Sequence, residues 1–348
     1  MEDMVLRGTS AEDTAVSLYN VTKTYTQWQR TGKMKDIVKN LIKPEKKIIT
    51  AIDNVSLEIK KGEFVAYAGA NGAGKSTTIK ILSGILQPTN GTVRVLGLNP
   101  ASSRIELMKK IGIVFGQRTE LWWDHPVETS FQWKKTVWDI PDFRYNKMFE
   151  LITDLLDLGD LLKTFARELS LGQRMRADLG LMLLHEPELI FLDEPTLGLD
   201  VLAKKQMIDF LKTINRENKT TVVVTSHDMN DLEVMAERII LMSKGHLEFD
   251  GSFDLLRKLN GSMCKIILTT VNTSALEINC LRLISSHENI HEYEFDIGKI
   301  SLRRVLSEIS NSDEIMDIEI KKPSLEEIIQ GLYTKWKTPG NGICTLKA

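Results

Sequence analysis

Cysteine is scarce in this 348-residue chain: Cys264, Cys280 and Cys344 are the only three. They are scattered and share no metal-ligand spacing, so they read as free thiols in a reducing compartment. Long apolar runs are missing too. The best candidate, Leu179 to Leu192, is broken by His185, Glu186, Pro187 and Glu188, and a bilayer span needs ~20 apolar residues. The first ten residues, Met1 to Ser10, have no apolar core behind a basic start and do not read as a signal peptide. An excess of positive charge is absent: 45 Lys and Arg face 47 Asp and Glu, a formal net charge of −2. That removes the general reason to expect a nucleic-acid partner. Internal repeats and low-complexity tracts are absent as well.

At 42% hydrophobic and 26% charged residues, the composition is that of a globular chain, long enough for one large domain and a small one. Short apolar runs at Phe64–Ala68, Ile111–Phe115, Leu189–Leu192 and Thr221–Thr225 alternate with helical patterns. This predicts a largely parallel sheet covered by helices. Between Gln117 and Glu168 the strand signal disappears. Met148, Leu151, Ile152, Leu155 and Leu156 there keep helical spacing, so a helical insert over about 118–170 is expected. The pair Asn260-Gly261 is a turn signal. Beyond it, strand-like Cys264–Val271, helix-like Leu302–Ile309 and alternating Ile315–Ile320 suggest a small α+β domain over 261–348, after a main domain over 1–260.

Three segments carry chemistry. The run GANGAGKST from Gly69 to Thr77 fits G-x-x-x-x-G-K-[ST], between a strand and a helix. Gly69, Gly72 and Gly74 let the backbone N–H groups of the loop, with Asn71 and Ala73, curl into an anion cradle. The helix that follows aims its positive end at the same phosphates. Lys75 supplies a cation for the β- and γ-phosphates, and the Ser76 hydroxyl, beside Thr77, suits Mg²⁺. The pattern therefore predicts a bound nucleotide with Mg²⁺. The strand at Leu189–Leu192 ends in Asp193 and Glu194. Asp193 is placed to reach the Mg²⁺ held by Ser76, and Glu194 to polarise the attacking water as general base. Two acids after a strand also suit a helix cap, which leaves that reading open. His227 follows the Thr221–Thr225 strand and is expected beside the γ-phosphate, although a solitary His is ordinarily a satisfied residue.

Between the phosphate loop and these acids lies LSLGQR, Leu169 to Arg174. Here the sequence resembles the ATP-binding cassette (ABC) ATPases, whose signature is LSGGQ, with Leu171 where the family commonly has Gly. The resemblance spans about residues 14 to 260. It implies the P-loop cassette fold: a mostly parallel core sheet, an antiparallel β subdomain and a helical insert. It implies that Gln117 touches Mg²⁺ and links core to insert. It also implies that Tyr25 stacks on adenine and that the Gly198-Leu199-Asp200 loop crosses to a partner cassette. Ser170, Gly172 and Gln173 open a helix whose N–H groups make a second anion site. In the family that site faces the γ-phosphate bound by the other cassette, so a second copy of this chain or a homologous cassette is the implied partner.

The stretches Gly112–Arg118, Leu121–Pro126, Leu169–Arg176 and Thr225–Asp231, with the tail Pro323–Glu327, resemble ATP-binding subunits that serve ABC-2-type permeases, nearest the viologen and multidrug export group. That implies an ATPase at the cytoplasmic face of the membrane, driving export through separate permease subunits. An importer ATPase, or a soluble cassette acting on nucleic acid or ribosomes, are the alternatives. Four of the six tryptophans, Trp122, Trp123, Trp133 and Trp138, fall in the insert, either as subdomain packing or as a groove for the permease. Residues 26–50 read as an insertion whose Met34, Ile37, Val38, Leu41 and Ile42 share a helical face. It suits either a solvated short helix or contact with anionic lipid headgroups or the permease edge.

Overall fold

The buried strands come first, because their composition alone makes them. Phe64–Gly69 (β3), Leu189–Asp193 (β6) and Thr221–Thr225 (β7) are rich in β-branched and large apolar residues, and almost every position in them is buried. Such continuous burial belongs to parallel strands covered on both faces. They pair in parallel with each other and with Ile111–Phe115 (β5) and Arg238–Ser243 (β8). With His246–Ser252 (β9) they complete a six-stranded sheet in the order β5-β6-β7-β3-β8-β9. In this computed structural model the described residues are 13–28, 46–115, 118–259, 263–310, 314–321 and 324–337.

A second sheet is antiparallel throughout and has the order β2-β1-β4, built from Thr14–Trp28 (β1), Lys46–Lys60 (β2) and Asn90–Val95 (β4). Ile52, Val55, Leu57 and Ile59 of β2 point inward and are buried; from Val55 onward they keep the period of two that a half-buried sheet requires, after a register shift opposite Val21. They join Val16 and Leu18 of β1, Val65 and Tyr67 of β3, and Ile79 and Ile81 in one core. Both expected sheets are therefore present. Of the 26–50 insertion, 26–28 continue β1 and 46–50 begin β2. Its helical face, Met34 to Ile42, lies outside the described residues.

Helices α1 (Lys75–Leu82) and α2 (Arg104–Met108) follow β3 and β4. The insert holds α3 (Val127–Val137) and α4 (Asp142–Leu155), with no strand of its own among the described residues. Next come α5 (Leu171–Leu183), α6 (Val201–Asn218) and α7 (Met229–Met235). Gly180 of α5 is where core and insert press together. A Cβ there would lie 2.7 Å from Ile152 Cγ2, shorter than real Cβ contacts, and a tight 3.1 Å from Leu158 and 3.2 Å from Phe131. The insert therefore meets α5 through a close helix contact.

A second compact unit begins at Gly251. It contains α8 (Phe253–Leu259) and a four-stranded sheet in the order β11-β12-β10-β13. Its strands are Met263–Thr270 (β10), Arg282–His287 (β11), Ile290–Asp296 (β12) and Ile315–Lys321 (β13), all antiparallel neighbours. Helices α9 (Leu302–Ile309) and α10 (Leu325–Lys337) follow the sheet strands in the chain. Its core is small: Cys264, Ile266, Leu268, Tyr293, Phe295, Val305 and Ile309. The β11–β12 hairpin has no clear signal in the sequence, since its outer strand is mostly exposed and lacks alternation.

Candidate functional site

Three strands of the main sheet carry the site on their carboxyl ends. β3 runs into the phosphate loop, which Gly72 and Gly74 shape with φ of 79° and 109°. A Cβ on Gly74 would stand 2.6 Å from the Ala51 carbonyl oxygen, so only glycine fits where β2 crosses. The turn at Gly245 ties the loop down: Gly245 N donates to Ala73 O at 3.1 Å, and Asp53 N donates to Gly245 O at 2.9 Å. Gly74 caps α1 with no side-chain hydrogen bond, and no acid sits in the first turn. The first-turn N–H groups of α1, around Ser76 and Thr77, are therefore left for an anion, with the helix dipole behind them.

Lys75 is buried, 8% exposed, and its ammonium donates to the carbonyls of Gly69 (2.6 Å) and Ala70 (3.3 Å). Burial pulls its pKa down, and the charges of Glu194 and Asp193 push it back up. A cation held inside a loop of N–H groups, facing two acids, suits a triphosphate better than it suits a structural ion pair.

Ser76 donates to Asp193 Oδ2 at 3.0 Å, and Thr225 donates to Asp193 Oδ1 at 2.6 Å. The carboxylate is thereby fixed from both sides. Thr225 is the residue of this candidate site that the sequence does not single out. Its signal was present, as a lone hydroxyl ending the buried VVV run two residues before His227. Among the described residues no cluster of three or more His, Cys, Asp or Glu could hold a metal ion. A hydroxyl and one carboxylate at hydrogen-bond distance are instead the sparse, hard oxygen set that suits Mg²⁺ completed by phosphate and water.

Glu194 leaves the strand with φ of 58°, the left-handed region that costs a side-chain-bearing residue ~1–2 kcal/mol. Its N–H donates to both the carbonyl (3.1 Å) and the hydroxyl (3.1 Å) of Thr225, which hold that conformation. The turn aims the carboxylate away from Asp193 and toward His227. Glu194 Oε2 lies 2.8 Å from His227 Nδ1 and accepts from His227 N at 3.3 Å. The helix-cap alternative for the paired acids fails, because α6 is capped by Asp200, which accepts from Ala203 N at 2.8 Å.

The Ser170 helix start is a complete capping box. Ser170 Oγ accepts from Gln173 N at 3.2 Å, and Ser170 N donates to Gln173 Oε1 at 2.9 Å. The Ser170 N–H, expected to face an anion, is thus already used. The groups left for a phosphate are the Ser170 hydroxyl proton and the N–H groups of Leu171 and Gly172. Leu171 also explains its own presence: a Cβ on Gly198 would sit 2.5 Å from Leu171 Cδ2, so the two positions fit only as large beside small. Leu199 Cδ2 lies 3.6 Å from where a Gly172 side chain would begin. The signature start and the 198–200 loop therefore pack on each other.

Tyr25 stands on β1 opposite Ile49, 38% exposed, with the Lys23 ammonium 5.3 Å from its ring centre. Ile49 is two residues from Ala51, which abuts Gly74, so Tyr25 sits on the strand pair bordering the loop. Gln117 lies outside the described residues. The chain just beyond it is fixed to α5, since Thr119 Oγ1 (2.8 Å) and Glu120 N (3.0 Å) both donate to Asp178 Oδ1. Burial raises the Asp178 pKa to about 6, against hydrogen bonds that lower it. Sequence reading gave Asp178 no role, and a single acid inside an apolar helix pattern carries little signal. Trp122, Trp123 and Trp133 are all at least 36% exposed, with Trp122 and Trp133 ring centres 5.4 Å apart.

Residues 52–197 match the family model described as ABC transporter. The chain is 26% identical over 288 residues to the bacitracin transport ATP-binding protein BcrA of Bacillus licheniformis, covering 80% of this chain and 90% of that protein. It is 32% identical over 206 residues to the energy-coupling factor transporter ATP-binding protein EcfA2 of Clostridium perfringens, covering 58% and 72%. Of two other curated relatives it spans only 23% and 48% of the length. A solved dimeric ATP-binding cassette in a post-hydrolysis state, bound to ADP and Pi, superposes with a TM-score of 0.57 at 30% identity. The match covers 68% of this chain and 98% of that one.

Proposed function

This chain belongs to the ATP-binding cassette transporter family, and on that premise we propose that it is the ATP-hydrolysing subunit of an export system whose membrane-spanning part is a separate permease of the ABC-2 type. The observation that carries the hydrolytic reading is the linked set Ser76–Asp193–Thr225–Glu194–His227, assembled at the ends of three neighbouring strands.

The phosphate loop and Lys75 bind and orient the β- and γ-phosphates. Ser76, Asp193 and Gln117 would hold Mg²⁺, which neutralises charge across the phosphates when bound. Glu194 takes a proton from the water whose oxygen bonds to the γ-phosphorus, and the bond to the β–γ bridging oxygen breaks to leave ADP. His227 fixes the Glu194 carboxylate and lies beside the same γ-phosphate. Tyr25 covers the adenine. Ser170, Gly172 and the Asp200 loop serve the γ-phosphate of a second copy or a homologous cassette. ATP thereby joins two cassettes and hydrolysis parts them. Each charge-assisted hydrogen bond to phosphate is worth roughly 1.5–3 kcal/mol, so losing several opens the interface.

Export rests on the stretches 112–118, 121–126, 169–176 and 225–231 and is consistent with the likeness to a bacitracin transport protein. No described helix is long and apolar enough to cross a membrane, in keeping with attachment at the cytoplasmic face through a permease. The exposed Trp122 and Trp133 suit its docking groove. The likeness to an energy-coupling factor protein supports an importer ATPase as the second reading. Neighbouring genes separate them: six-helix permeases favour export, and a solute-binding protein favours import. For the hydrolytic site, Glu194→Gln is expected to bind ATP, lose turnover and elute as a dimer in ATP. Normal hydrolysis by that variant would refute the base assignment.

A further inference from the structure

The carboxyl ends of β3, β6 and β7 hold the phosphate site, and the amino ends of the same strands border a cavity of about 590 Å³. At 5–6 residues per strand and ~3.3 Å per residue, the two lie roughly 20 Å apart. Lys61, just before β3, Lys147 of α4 and Lys219, just after α6, line it. Among the described residues no ion pair engages any of these three ammonium groups. Glu186 and Glu188 also reach the cavity, but Glu186 pairs with Arg144 at 3.0 Å and Glu188 has the Lys110 ammonium 3.9 Å away, so neither is turned to the three lysines alone. The cavity is therefore cationic on a chain whose net charge is −2.

Its floor is aliphatic: Leu96, Met148, Leu183 and Ile214, with Leu151 still 45% exposed at the edge. No aromatic side chain lines it, so nothing offers a nucleobase a stacking face. Free cations around an apolar hollow of this volume match a small molecule with an anionic head and an aliphatic body. We propose that this cavity binds an amphipathic anion of that class, such as a medium-chain carboxylate. Because the cavity is walled by α4 of the helical insert and by Lys61, Ile214 and Lys219 of the core, its ligand ties the insert to the core. Occupancy then alters how freely the signature helix moves against the phosphate loop.

The test uses the full chain and decanoate, first without nucleotide, so that its result is independent of the hydrolytic reading. Titration calorimetry is expected to show saturable decanoate binding, weakened about tenfold or more in K61Q/K147Q/K219Q. These exposed substitutions leave the fold intact, which circular dichroism checks. Met148→Glu, which puts a charge on the floor, is expected to abolish binding as well. Absent binding to the native chain, or equal binding by the triple variant, overturns the proposal. So does pyrophosphate that binds as tightly as decanoate and competes with it, since the aliphatic floor would then play no part. Saturating decanoate is further expected to change steady-state ATP hydrolysis of the native chain and not of the triple variant. An unchanged rate overturns the coupling between cavity and phosphate site.

Discussion

Replacing Asp178 by Asn is expected to stabilise this protein at neutral pH. Asp178 is 7% exposed, and both of its hydrogen bonds, from Thr119 Oγ1 and Glu120 N, end on the same oxygen, Oδ1. An Asn carbonyl can accept both, more weakly, so the substitution removes a buried charge while keeping its partners. Burial is the main cause of the raised pKa, with Glu120 adding to it and Arg174 opposing it. Folding thus raises the pKa from 3.8 to about 6, so the unfolded chain gives up the proton first. Stability from this group is fully present below 3.8 and is lost as pH rises to about 6. The linkage amounts to about half a kcal/mol lost at pH 4, between about 1 and 2 at pH 5, and about 3 at pH 7. Charge-assisted acceptance is stronger than neutral acceptance, so the net gain of Asp178→Asn at pH 7 is set at ~1–3 kcal/mol. Thermal unfolding from pH 5 to 8 measures it, at ~2–4 °C per kcal/mol for a domain of this size. The gap between variant and native chain must widen from pH 5 to pH 7. Parallel curves, or a variant less stable at pH 7, would refute the burial argument.

Gly198→Ala meets Leu171 and a φ of 73°, so a loss of ~1–3 kcal/mol is expected. Leu171→Gly in the same chain should recover the part due to overlap; strictly additive denaturation energies would show that the two do not touch. Thr225→Val keeps its shape but removes the hydroxyl that donates to Asp193 Oδ1 and accepts from Glu194 N, leaving Asp193 held by Ser76 alone and the Glu194 N–H on the residue-225 carbonyl alone. Hydrolysis should fall roughly tenfold or more while ATP affinity stays within about threefold, each lost bond being worth ~1–3 kcal/mol. Equal losses in kcat and affinity would contradict a positioning role. Lys75→Ala should remove nucleotide-dependent thermal stabilisation, and full stabilisation by ATP would take Lys75 out of the site.

Much of this site was legible because its parts are local. Nine consecutive residues build the phosphate loop, short apolar runs make the buried strands, and a Ser-x-x-Gln spacing makes a capped helix. Backbone geometry and side-chain period dictate these with no help from distant residues, which is why Ile111–Phe115 and Thr221–Thr225 coincide with observed strands. Only tertiary structure could decide the rest. Asp193 and Thr225 are 32 residues apart and Asp178 and Thr119 are 59 apart, pairings that exist because strand order brings them together. The left-handed turn at Glu194, the use of the Ser170 N–H by Gln173 and the fit of Leu171 to Gly198 likewise depend on what packs around each residue. Sequence alone pointed to a phosphate-binding loop and its paired acids; the folded sheet decided which hydroxyl fixes the Asp193 carboxylate and which way Glu194 points.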